Sequence, residues 1–313
     1  MTSVTARVPA KINLQLAVGP LRADGYHGLV TVFHAISLFD EVTVAAAAAD
    51  GVTVAGEGAD HVPANGDNLA LRAVRALRES ITLRDGVAPD AGPDGRAGVA
   101  VSIRKRIPVA GGLAGGSADA AAALVACNAL WQAELSQQDL CEVAARVGSD
   151  VAFAVLGGTA VGRGRGEQLT SALAAPARYH WVLAFADGHL STPAVYGMLD
   201  RLRGDEAVGE PELSAELMSA LRAGDPARVG AALGNDLQGP ALAMFPALRK
   251  TLAAGREFGA LGALVSGSGP TCFFLARDQR HATDLAVALS SADVCRTVAT
   301  ATGAAPGATV ISR

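Results

Sequence analysis

Lysine is scarce in this chain of 313 residues, in which only Lys11, Lys105 and Lys250 occur and arginine supplies the remaining basic charge. Acidic residues outnumber basic ones by 30 to 26, so the formal net charge is −4. This balance argues against nucleic acid as a partner, because proteins that bind it usually carry a basic excess. Long apolar runs are also missing: stretches such as Val42–Ala49 and Ala120–Cys127 are far shorter than the roughly 20 residues of a membrane span. We therefore predict no membrane partner.

Cysteine is equally sparse. Cys127, Cys141, Cys272 and Cys295 show no spacing typical of a metal or redox site. The N-terminus has no apolar leader, because Arg7 interrupts it. Unpaired thiols without an export signal fit a reducing compartment, so we predict a cytoplasmic protein. Hydrophobic residues make up 50% and charged residues 18% of the chain, which excludes a largely disordered protein, and the length favours about two domains.

The periodicity of apolar residues predicts both strands and helices in the first half of the chain. The predicted strands cover residues 12–18, 30–36, 42–44 and 99–103, and the predicted helices cover 68–79, 118–131, 137–147 and 151–156. Helix starts are predicted at Ser117, at a capping box of Ser136 with Asp139, and at Ser149 or Asp150. Residues 84–98 are rich in Gly, Pro, Asp and Arg and predict a loop.

The second half again mixes strands and helices. Its predicted strands cover residues 181–185, 263–266, 272–276 and 294–300, and its predicted helices begin at Ser191-Thr192-Pro193 and cover 215–222, 227–233, 246–258 and 281–290. The glycine pair Gly157-Gly158 and the Arg/Gly-rich run 162–166 indicate a change of element between the halves. We therefore predict two α+β domains that share a cleft.

The stretch Gly111-Gly112-Leu113-Ala114-Gly115-Gly116-Ser117 runs directly into an Ala/Leu-rich helix. Glycines let backbone N–H groups approach a phosphate, and the positive end of the following helix favours an anion. The stretch lacks the lysine of a P-loop and the spacing of a dinucleotide-binding loop. A flexible turn between strand and helix explains the glycines equally well.

Lys11 stands at the start of the first predicted strand, and Asn13 shares its face of the sheet. Its position and the rarity of lysine allow a fixed cation near a reacting phosphoryl group or near an acid. The alternative is an edge-strand lysine that discourages aggregation.

Asp150 follows Ser149 just before an apolar helix, so it is either the N-cap of that helix or a base for a substrate hydroxyl. Because Ser149 competes for the capping position, Asp150 is the freer residue for chemistry.

Two further loops contain candidate binding residues. Tyr26 and His27 close the polar loop Arg22–His27, where they form either a stacking and hydrogen-bonding platform or a partly buried anchor. The segment Gly267-Ser268-Gly269-Pro270 separates two predicted strands, and it could bring backbone against the first glycine-rich loop.

Taken in order, these segments resemble the motifs of the GHMP kinase superfamily, which includes galactokinase, homoserine kinase and mevalonate kinase. The matching segments extend over nearly the whole chain and are Pro9–Leu14, Arg22–His27 (R-A-D-G-Y-H), Pro108–Ala122, Gly148–Val151, Ser191–Tyr196 and Ser266–Thr271. Arg22–His27 resembles the signature of the branch that phosphorylates a cytidine diphosphate sugar alcohol. Ala110, Ala114 and Ala118 replace two glycines and a serine of the usual ATP loop. We still expect a phosphate cradle, because a methyl group restricts φ but leaves the N–H groups in place.

The resemblance implies an α+β, two-domain GHMP kinase fold with the active site in the cleft between the domains. The N-terminal domain, resembling domain 2 of ribosomal protein S5, would span residues 1–160 and carry the ATP loop and the catalytic lysine and aspartate. The C-terminal, ferredoxin-like domain would span residues 161–313.

The resemblance also implies an activity and its residues. Asp150 takes the proton of the erythritol 2-hydroxyl, Lys11 orients Asp150 and offsets developing charge, and the products are the 2-phosphate and ADP in the non-mevalonate route to isoprenoid precursors. The implied ATP-binding residues are Asn68, Lys105, Pro108, Val109, Ala110, Gly111, Gly112, Leu113, Ala114, Gly115, Gly116 and Ser117, with the adenine near Asn68 and Lys105. The implied substrate-binding residues are Asn13, Tyr26, His27, Thr192 and Tyr196, with the glycine motif Gly267, Ser268 and Gly269 near the site.

The resemblance implies ATP as co-substrate and Mg²⁺ with the nucleotide, for which Ser117 is a candidate ligand. The partners would be small molecules, ATP and a cytidine diphosphate sugar alcohol, and the protein a monomer or weak homodimer.

Three alternatives remain at this stage. A homoserine or mevalonate type of kinase is disfavoured by Arg22–His27. A non-catalytic nucleotide-binding protein is disfavoured by the presence of both Lys11 and Asp150. A Rossmann oxidoreductase is disfavoured because no G-x-G-x-x-G opens a strand–turn–helix unit.

Overall fold

The computed structural model describes residues 3–89, 97–204 and 206–312. Its strands are β1 (Ser3–Leu21), β2 (His27–Ala47), β3 (Gly51–Gly56), β4 (Gly98–Lys105), β5 (Thr159–Gly164), β6 (Gln168–Ser171), β7 (Tyr179–Phe185), β8 (Gly234–Asn235), β9 (Gly262–Val265), β10 (Cys272–Ala276), β11 (Thr297–Gly303) and β12 (Thr309–Ser312). Its α-helices are α1 (Leu69–Asp85), α2 (Gly115–Leu130), α3 (Gln137–Val147), α4 (Ser149–Leu156), α5 (Thr192–Arg203), α6 (Ala215–Ala223), α7 (Pro226–Ala231), α8 (Gln238–Met244), α9 (Leu248–Glu257) and α10 (Gln279–Ser291). None of the helices in these ranges combines the length and the apolar character needed to cross a membrane.

The long antiparallel pair β1–β2 is the centre of the sheet. Its pairing extends from Ser3 opposite Ala45 to Leu21 opposite His27. One half of β2 pairs with β5 and the other half pairs with β4, while Ile36 between them pairs with Gly303 of β11. The central path of the sheet runs in the order β12-β1-β2-β11-β7-β10-β9. Strands from both predicted domains therefore share one sheet; the division at residue 160 stays a prediction.

The helices that precede residue 160 pack around α2. This helix contacts α1, α4, β1 and β2, and the side chains of Ala120–Ala123 are fully buried. The small alanine side chains allow the neighbouring helices and strands to pack closely against α2 on every side. This explains why an Ala-rich helix lies at the centre of this core. A second apolar cluster joins β7 and β10 to α5, α8, α9 and α10, with Val195, Phe274 and Leu285 among its buried members.

Of the predicted N-caps, one is confirmed and two are wrong. Ser136 and Asp139 form the predicted capping box of α3. Asn68, which the prediction placed inside the first helix, is instead the residue that caps α1 through its side chain. Ser117 is not the N-cap of α2, because this helix begins two residues earlier, at Gly115. Ser149 and Asp150 are not caps either: they are the first two residues of α4, which Gly148 precedes.

The loop predicted over residues 84–98 begins later than expected, because α1 extends to Asp85. Arg84 and Asp85 form the last turn of α1, which Gly86 ends in a left-handed conformation. At the other end, Gly98 begins β4. Residues 90–96 of the predicted loop lie outside the described residues.

His34 of β2 is fully buried, and its Nδ1 lies 2.8 Å from the hydroxyl of Thr159. Burial lowers the pKa of His34 to about 3. In the unfolded chain this histidine gains a proton below pH about 6.5, whereas in the folded chain it stays neutral until about pH 3. Between about pH 6.5 and pH 3 we therefore expect the free energy of unfolding to fall as the pH falls. The contribution of His34 to this fall is up to about 1.4 kcal/mol per pH unit.

Urea unfolding of His34→Gln between pH 4 and 7 measures this effect. The variant should be less stable at pH 7 but show a smaller slope against pH than the wild type. His61→Gln, at an exposed position, is the control and should keep the wild-type slope. Equal slopes for His34→Gln and the wild type would contradict the prediction.

Candidate functional site

A cavity of about 660 Å³ lies where the ends of several elements meet. It is lined by residues of β1, the glycine-rich loop before α2, the first turns of α4 and α5, and the loop between β9 and β10. The predicted residues in its lining are Lys11, Asn13, Ala110, Gly111, Gly112, Ala114, Gly115, Gly116, Ser117, Asp150, Thr192, Tyr196, Gly267 and Ser268. The structure thus brings the predicted lysine, aspartate and glycine-rich loop to one place.

Lys11 is buried on β1 and held on two sides. Its Nζ donates to the Oδ1 of Asn13 at 2.7 Å, which confirms that the two side chains share a face of the strand. Asn13 in turn donates to the hydroxyl of Thr31 at 2.8 Å. The ammonium also lies 3.8 Å from Oδ2 of Asp150 and 5.7 Å from the centre of the Phe33 ring. Lys11 is therefore a fixed cation beside a carboxylate.

Asp150 is the second residue of α4, and its side chain is 34% exposed. Its position at the positive end of a helix and its ion pair with Lys11 both stabilise a carboxylate there. Because one part of the side chain meets the cavity while Oδ2 faces Lys11, Asp150 can accept a proton from a group bound in the cavity.

The loop before α2 adopts the glycine-type backbone conformation even where it contains alanine. Ala110 and Ala114 have φ of +54° and +58°, in the left-handed region that costs an alanine roughly 1 kcal/mol or more. Gly112 has φ +77°, and a Cβ at this position would stand 2.2 Å from the carbonyl oxygen of Ser266. The loop therefore requires glycine at 112, whereas it tolerates a methyl group at 110 and 114.

The two glycine-rich loops contact each other, as predicted. The hydroxyl of Ser266 donates to the carbonyl of Gly112 at 3.0 Å, and the N–H of Thr271 donates to the carbonyl of Gly111 at 3.4 Å. The hydroxyl of Ser268 lies 2.9 Å from that of Thr192, at the start of α5. These contacts fix the position of the first loop relative to the second half of the chain.

A second cavity of about 600 Å³ lies on the other side of the first glycine-rich loop. Ala110 and Gly111 line both cavities, and Pro108 and Val109 line the second. Its remaining lining includes Phe185, His189 and Arg296, the last of which forms an ion pair with Glu57. A ligand that crosses the loop would therefore reach both cavities.

Asn68 and Lys105 have internal partners and line neither cavity. The side chain of Asn68 accepts from the N–H of Ala70 and donates to the carbonyl of Pro63. Lys105 is buried, with its Nζ 2.5 Å from Asp40 and 2.6 Å from Asp119. Their predicted position beside an adenine stays a prediction. In the structure Asn68 caps α1, and Lys105 lies beneath the glycine-rich loop, close to Gly115.

The ion cluster of Lys105, Asp40 and Asp119 lies beneath the start of α2. Asp40 also accepts from the N–H groups of Arg106 and Ile107, at 2.5 and 2.8 Å. Among the residues that the structure describes, Oδ1 of Asp119 has no hydrogen-bond partner, and burial raises the pKa of Asp119 to about 7 although Lys105 opposes the shift. Burial favours the neutral form of Lys105, but the two neighbouring carboxylates favour the ammonium more strongly. The pKa of Lys105 is therefore raised. The cluster therefore holds one ammonium and one to two negative charges.

The predicted substrate residues form two groups. The His27 ring is buried, stacks on Tyr196 with ring centres 5.3 Å apart, and its Nε2 lies 2.8 Å from Asp200. Burial raises the pKa of Tyr196. Tyr26 is 54% exposed, and the guanidinium of Arg165 lies 3.9 Å from its ring centre. Tyr26 and His27 thus lie next to the cavity, whereas Tyr196 and Thr192 line it.

Leu69 and Arg165 line the main cavity but were not predicted as site residues. Leu69 begins α1 directly after Asn68, and Asn68 was associated with the nucleotide only through the resemblance. Arg165 belongs to the run R-G-R-G-E, which indicated a turn without showing what the turn approaches. Asp40 and Asp119 were not predicted as site residues, because Asp40 lies outside the matching segments and Asp119, although inside Pro108–Ala122, follows the last implied ATP-binding residue, Ser117.

In the ranges 3–89, 97–204 and 206–312, no group of three or more His, Cys, Asp or Glu side chains has the arrangement of a metal site. Ser117 lines the cavity at the first turn of α2. The oxygen donors available here suit a cation that is held mainly by phosphate and water, as Mg²⁺ is with nucleotides.

Family models match both halves of the chain. The model for the N-terminal domain of GHMP kinases matches residues 68–158, and the model for the C-terminal domain of GHMP kinases matches residues 217–294. Together they include the glycine-rich loop, Asp150 and the loop between β9 and β10.

Similar proteins agree with these models. The 4-diphosphocytidyl-2-C-methyl-D-erythritol kinase of Thermobifida fusca is 55% identical, covering 99% of each chain. That of Mycolicibacterium smegmatis is 53% identical, covering 99% of this chain and 92% of its own. A crystal structure of 4-(cytidine 5'-diphospho)-2C-methyl-D-erythritol kinase superimposes with a TM-score of 0.73 at 35% identity, covering 95% of this chain and 98% of the other. The chain therefore belongs to the GHMP kinases and, within them, to the 4-diphosphocytidyl-2-C-methyl-D-erythritol kinase family.

Proposed function

We propose that this chain transfers the γ-phosphoryl group of ATP to the 2-hydroxyl of 4-diphosphocytidyl-2-C-methyl-D-erythritol. The products are the 2-phosphate and ADP, in the non-mevalonate route to isopentenyl diphosphate. The observation that supports this most directly is the meeting of the Lys11–Asp150 ion pair with the glycine-rich loop in one cavity. Phosphoryl transfer requires positioning and charge stabilisation more than covalent chemistry, and these groups supply both.

In this proposal ATP lies across the first glycine-rich loop. The triphosphate occupies the side of the loop that faces the main cavity, where backbone N–H groups and the start of α2 favour an anion. The adenosine end occupies the second cavity, against Pro108 and Val109. This placement uses the loop residues Ala110 and Gly111, which are common to both cavities.

Asp150 is the proposed general base. As the 2-hydroxyl oxygen forms its bond to the γ-phosphorus, its proton passes to the carboxylate, and the bond from phosphorus to the bridging oxygen of ADP breaks. Lys11 holds Asp150 in place and stabilises the negative charge that develops on the transferring group. Asn13 and Thr31 keep the ammonium from turning away.

Mg²⁺ is the proposed companion of the nucleotide. When bound, it neutralises phosphate charge. The phosphates and water would supply most of its ligands, and the hydroxyl of Ser117 is the protein oxygen best placed for it.

The cytidine end of the substrate is proposed to lie against Tyr26, His27 and Tyr196, with Thr192 nearby. The stacked rings of His27 and Tyr196 form a flat aromatic surface beside the cavity. We further propose that the protein acts in the cytoplasm, as a monomer or weak homodimer, without a nucleic-acid or membrane partner.

Release of ADP with a panel of alcohols tests the substrate assignment. The full chain is incubated with ATP, Mg²⁺ and either 4-diphosphocytidyl-2-C-methyl-D-erythritol, homoserine, mevalonate or galactose. We expect turnover with the cytidine substrate to be at least about a hundredfold above turnover with the others, because only this substrate carries a base that can stack on the aromatic surface. Comparable turnover of homoserine or mevalonate would support another GHMP kinase activity, and ATP binding without turnover of any alcohol would support a non-catalytic protein.

Lys11→Ala should lower kcat by about 10²–10³, because it removes a fixed charge from the transferring phosphoryl group. The KM for ATP should change only a few-fold, since the glycine-rich loop stays in place. The measurement is steady-state kinetics, corrected for the folded fraction from urea unfolding. Lys250→Ala, at an exposed site on α9, is the control. If Lys11→Ala loses stability but keeps kcat, the lysine has only a structural role; that role is not the one of an exposed edge strand, because β1 lies between β12 and β2 and Lys11 is buried.

A further inference from the structure

Asp200 contacts a buried histidine of the proposed cytidine site from a distant part of the chain. It lies near the end of α5, and it is not among the described residues that line the main cavity. Its Oδ1 lies 2.8 Å from Nε2 of His27, whose side chain is only 5% exposed. Because a carboxylate oxygen is an acceptor, Nε2 carries a proton and donates to Asp200. The pair therefore fixes which edge of the His27 ring faces α5.

Asp200 and Tyr196 lie on the same face of α5. They are four positions apart, the spacing that places two side chains next to each other on a helix. The His27 ring stacks on Tyr196 with ring centres 5.3 Å apart and an angle of 29° between the planes. One face of α5 thus gives the histidine both a stacking contact and a hydrogen bond. Stacking fixes the plane of the ring, and the hydrogen bond fixes its rotation within that plane.

A second set of contacts attaches α5 to the β1–β2 pair. Arg203 donates through Nη2 to the carbonyl of Val18 at 2.7 Å and through Nη1 to that of Gly19 at 3.0 Å, near the end of β1. Asp236 lies 3.5 Å from the same guanidinium and accepts from the N–H of Val18 at 2.8 Å. The packing of α5 against these strands therefore has supports other than Asp200, whose own contribution is the orientation of the histidine ring.

We propose that Asp200 is a positioning residue for the cytidine end of the substrate, which acts by holding the ring of His27 against Tyr196. The inference rests on the proposed function, because that function assigns the base to the surface formed by these two rings. An aromatic surface binds a base by stacking only while its rings keep their orientation. A side chain that is fixed before the ligand arrives loses less conformational entropy on binding. Asp200 therefore contributes to affinity without touching the base.

Binding of cytidine diphosphate (CDP), measured by titration calorimetry, tests the role of Asp200 in variants of the full chain. Asp200→Ala removes the acceptor of the histidine N–H, whereas Asp200→Asn keeps an oxygen that can accept it. We expect the dissociation constant of CDP and the KM for the cytidine substrate to rise about tenfold in Asp200→Ala and at most about threefold in Asp200→Asn. The kcat and the KM for ATP should stay within about twofold of the wild type, because only ground-state binding of the base is lost.

Two further variants separate this role from a general loss of structure. Arg201→Ala changes the next residue of α5, which is exposed and whose Nε donates to the carbonyl of Gly197 in the same helix. This variant should keep the wild-type affinity for CDP. His27→Phe keeps an aromatic ring beside Tyr196 but cannot donate to Asp200. In that background Asp200→Ala should weaken CDP binding no further, because the two residues act through one contact.

The proposal is overturned if Asp200→Ala keeps the wild-type affinity for CDP, or if it raises the KM for ATP as much as the KM for the cytidine substrate. It is also overturned if Asp200→Ala weakens CDP binding equally in the wild type and in His27→Phe. Failure of the proposed function is a separate outcome, since it appears as absence of turnover in the wild type with the cytidine substrate.

Discussion

Asp150→Asn is expected to lower kcat by about 10²–10⁴, the range that a positioned general base contributes. The amide has the shape of the carboxylate but cannot accept the hydroxyl proton. Binding of ATP should be unchanged within a few-fold, because the glycine-rich loop and the start of α2 are untouched. The measurements are kcat for the cytidine substrate and the dissociation constant of ATP from equilibrium titration.

The control must separate lost chemistry from lost structure. Asp284→Asn replaces an exposed aspartate on α10 in the same way and should keep full activity. The unfolding midpoint of Asp150→Asn should stay near that of the wild type, since the side chain is one-third exposed and its ion pair with Lys11 spans 3.8 Å. The role of general base is falsified if Asp150→Asn turns over within a few-fold of the wild type.

The sequence predicted best those features that depend on neighbouring residues in the chain. The capping box of Ser136 with Asp139 is confirmed because the cap bonds to an N–H group only three residues ahead. The motifs also predicted that Lys11 and Asp150 would share a site with the glycine-rich loop, and the structure brings them together.

Features that depend on distant parts of the chain were predicted less well. Separate strands were predicted over residues 30–36 and 42–44, on either side of Asp40. β2 instead continues through Asp40, since its carboxylate is satisfied by Lys105 at the end of β4 and by the two backbone N–H groups that follow it. The start of α2 was placed three residues late, at 118 instead of 115, for a related reason. The left-handed turn at Ala114 that begins the helix belongs to a loop packed against the Ser266 segment, and no neighbouring residue indicates that contact.

The placement of the adenine near Asn68 and Lys105 came from the resemblance and stays a prediction. The sequence alone does not show which way these two side chains turn. The structure directs the Lys105 side chain beneath the loop, where a Cβ on Gly115 would stand 3.3 Å from its Nζ. Lys105 thus supports the loop from below, and its charge matters for the fold.

Lys105→Met is accordingly expected to lower the free energy of unfolding by about 3–5 kcal/mol, because it leaves Asp40 and Asp119 buried without their cation. Urea unfolding at pH 7 measures the loss. Lys250→Met, at an exposed site, should change the free energy of unfolding by less than about 0.5 kcal/mol. A loss for Lys105→Met that is no larger than the loss for Lys250→Met would contradict the prediction.

The double variant Lys105→Met/Asp119→Asn distinguishes unpaired charge from lost packing. Asp40 keeps its two backbone donors, whereas Asp119 has an oxygen without a partner and burial already raises its pKa to about 7. Replacing Asp119 by asparagine removes the second buried carboxylate, so the double variant should regain part of the stability lost in Lys105→Met. The recovery should grow as the pH rises from 5 to 8, because loss of Lys105 raises the pKa of the buried Asp119 further. The folded single variant then keeps a proton that its unfolded chain has already released, which lowers its stability as the pH rises. A pH-independent difference between the two variants would mean that the lysine stem, through its packing beneath Gly115, stabilises the loop, and that the charge does not.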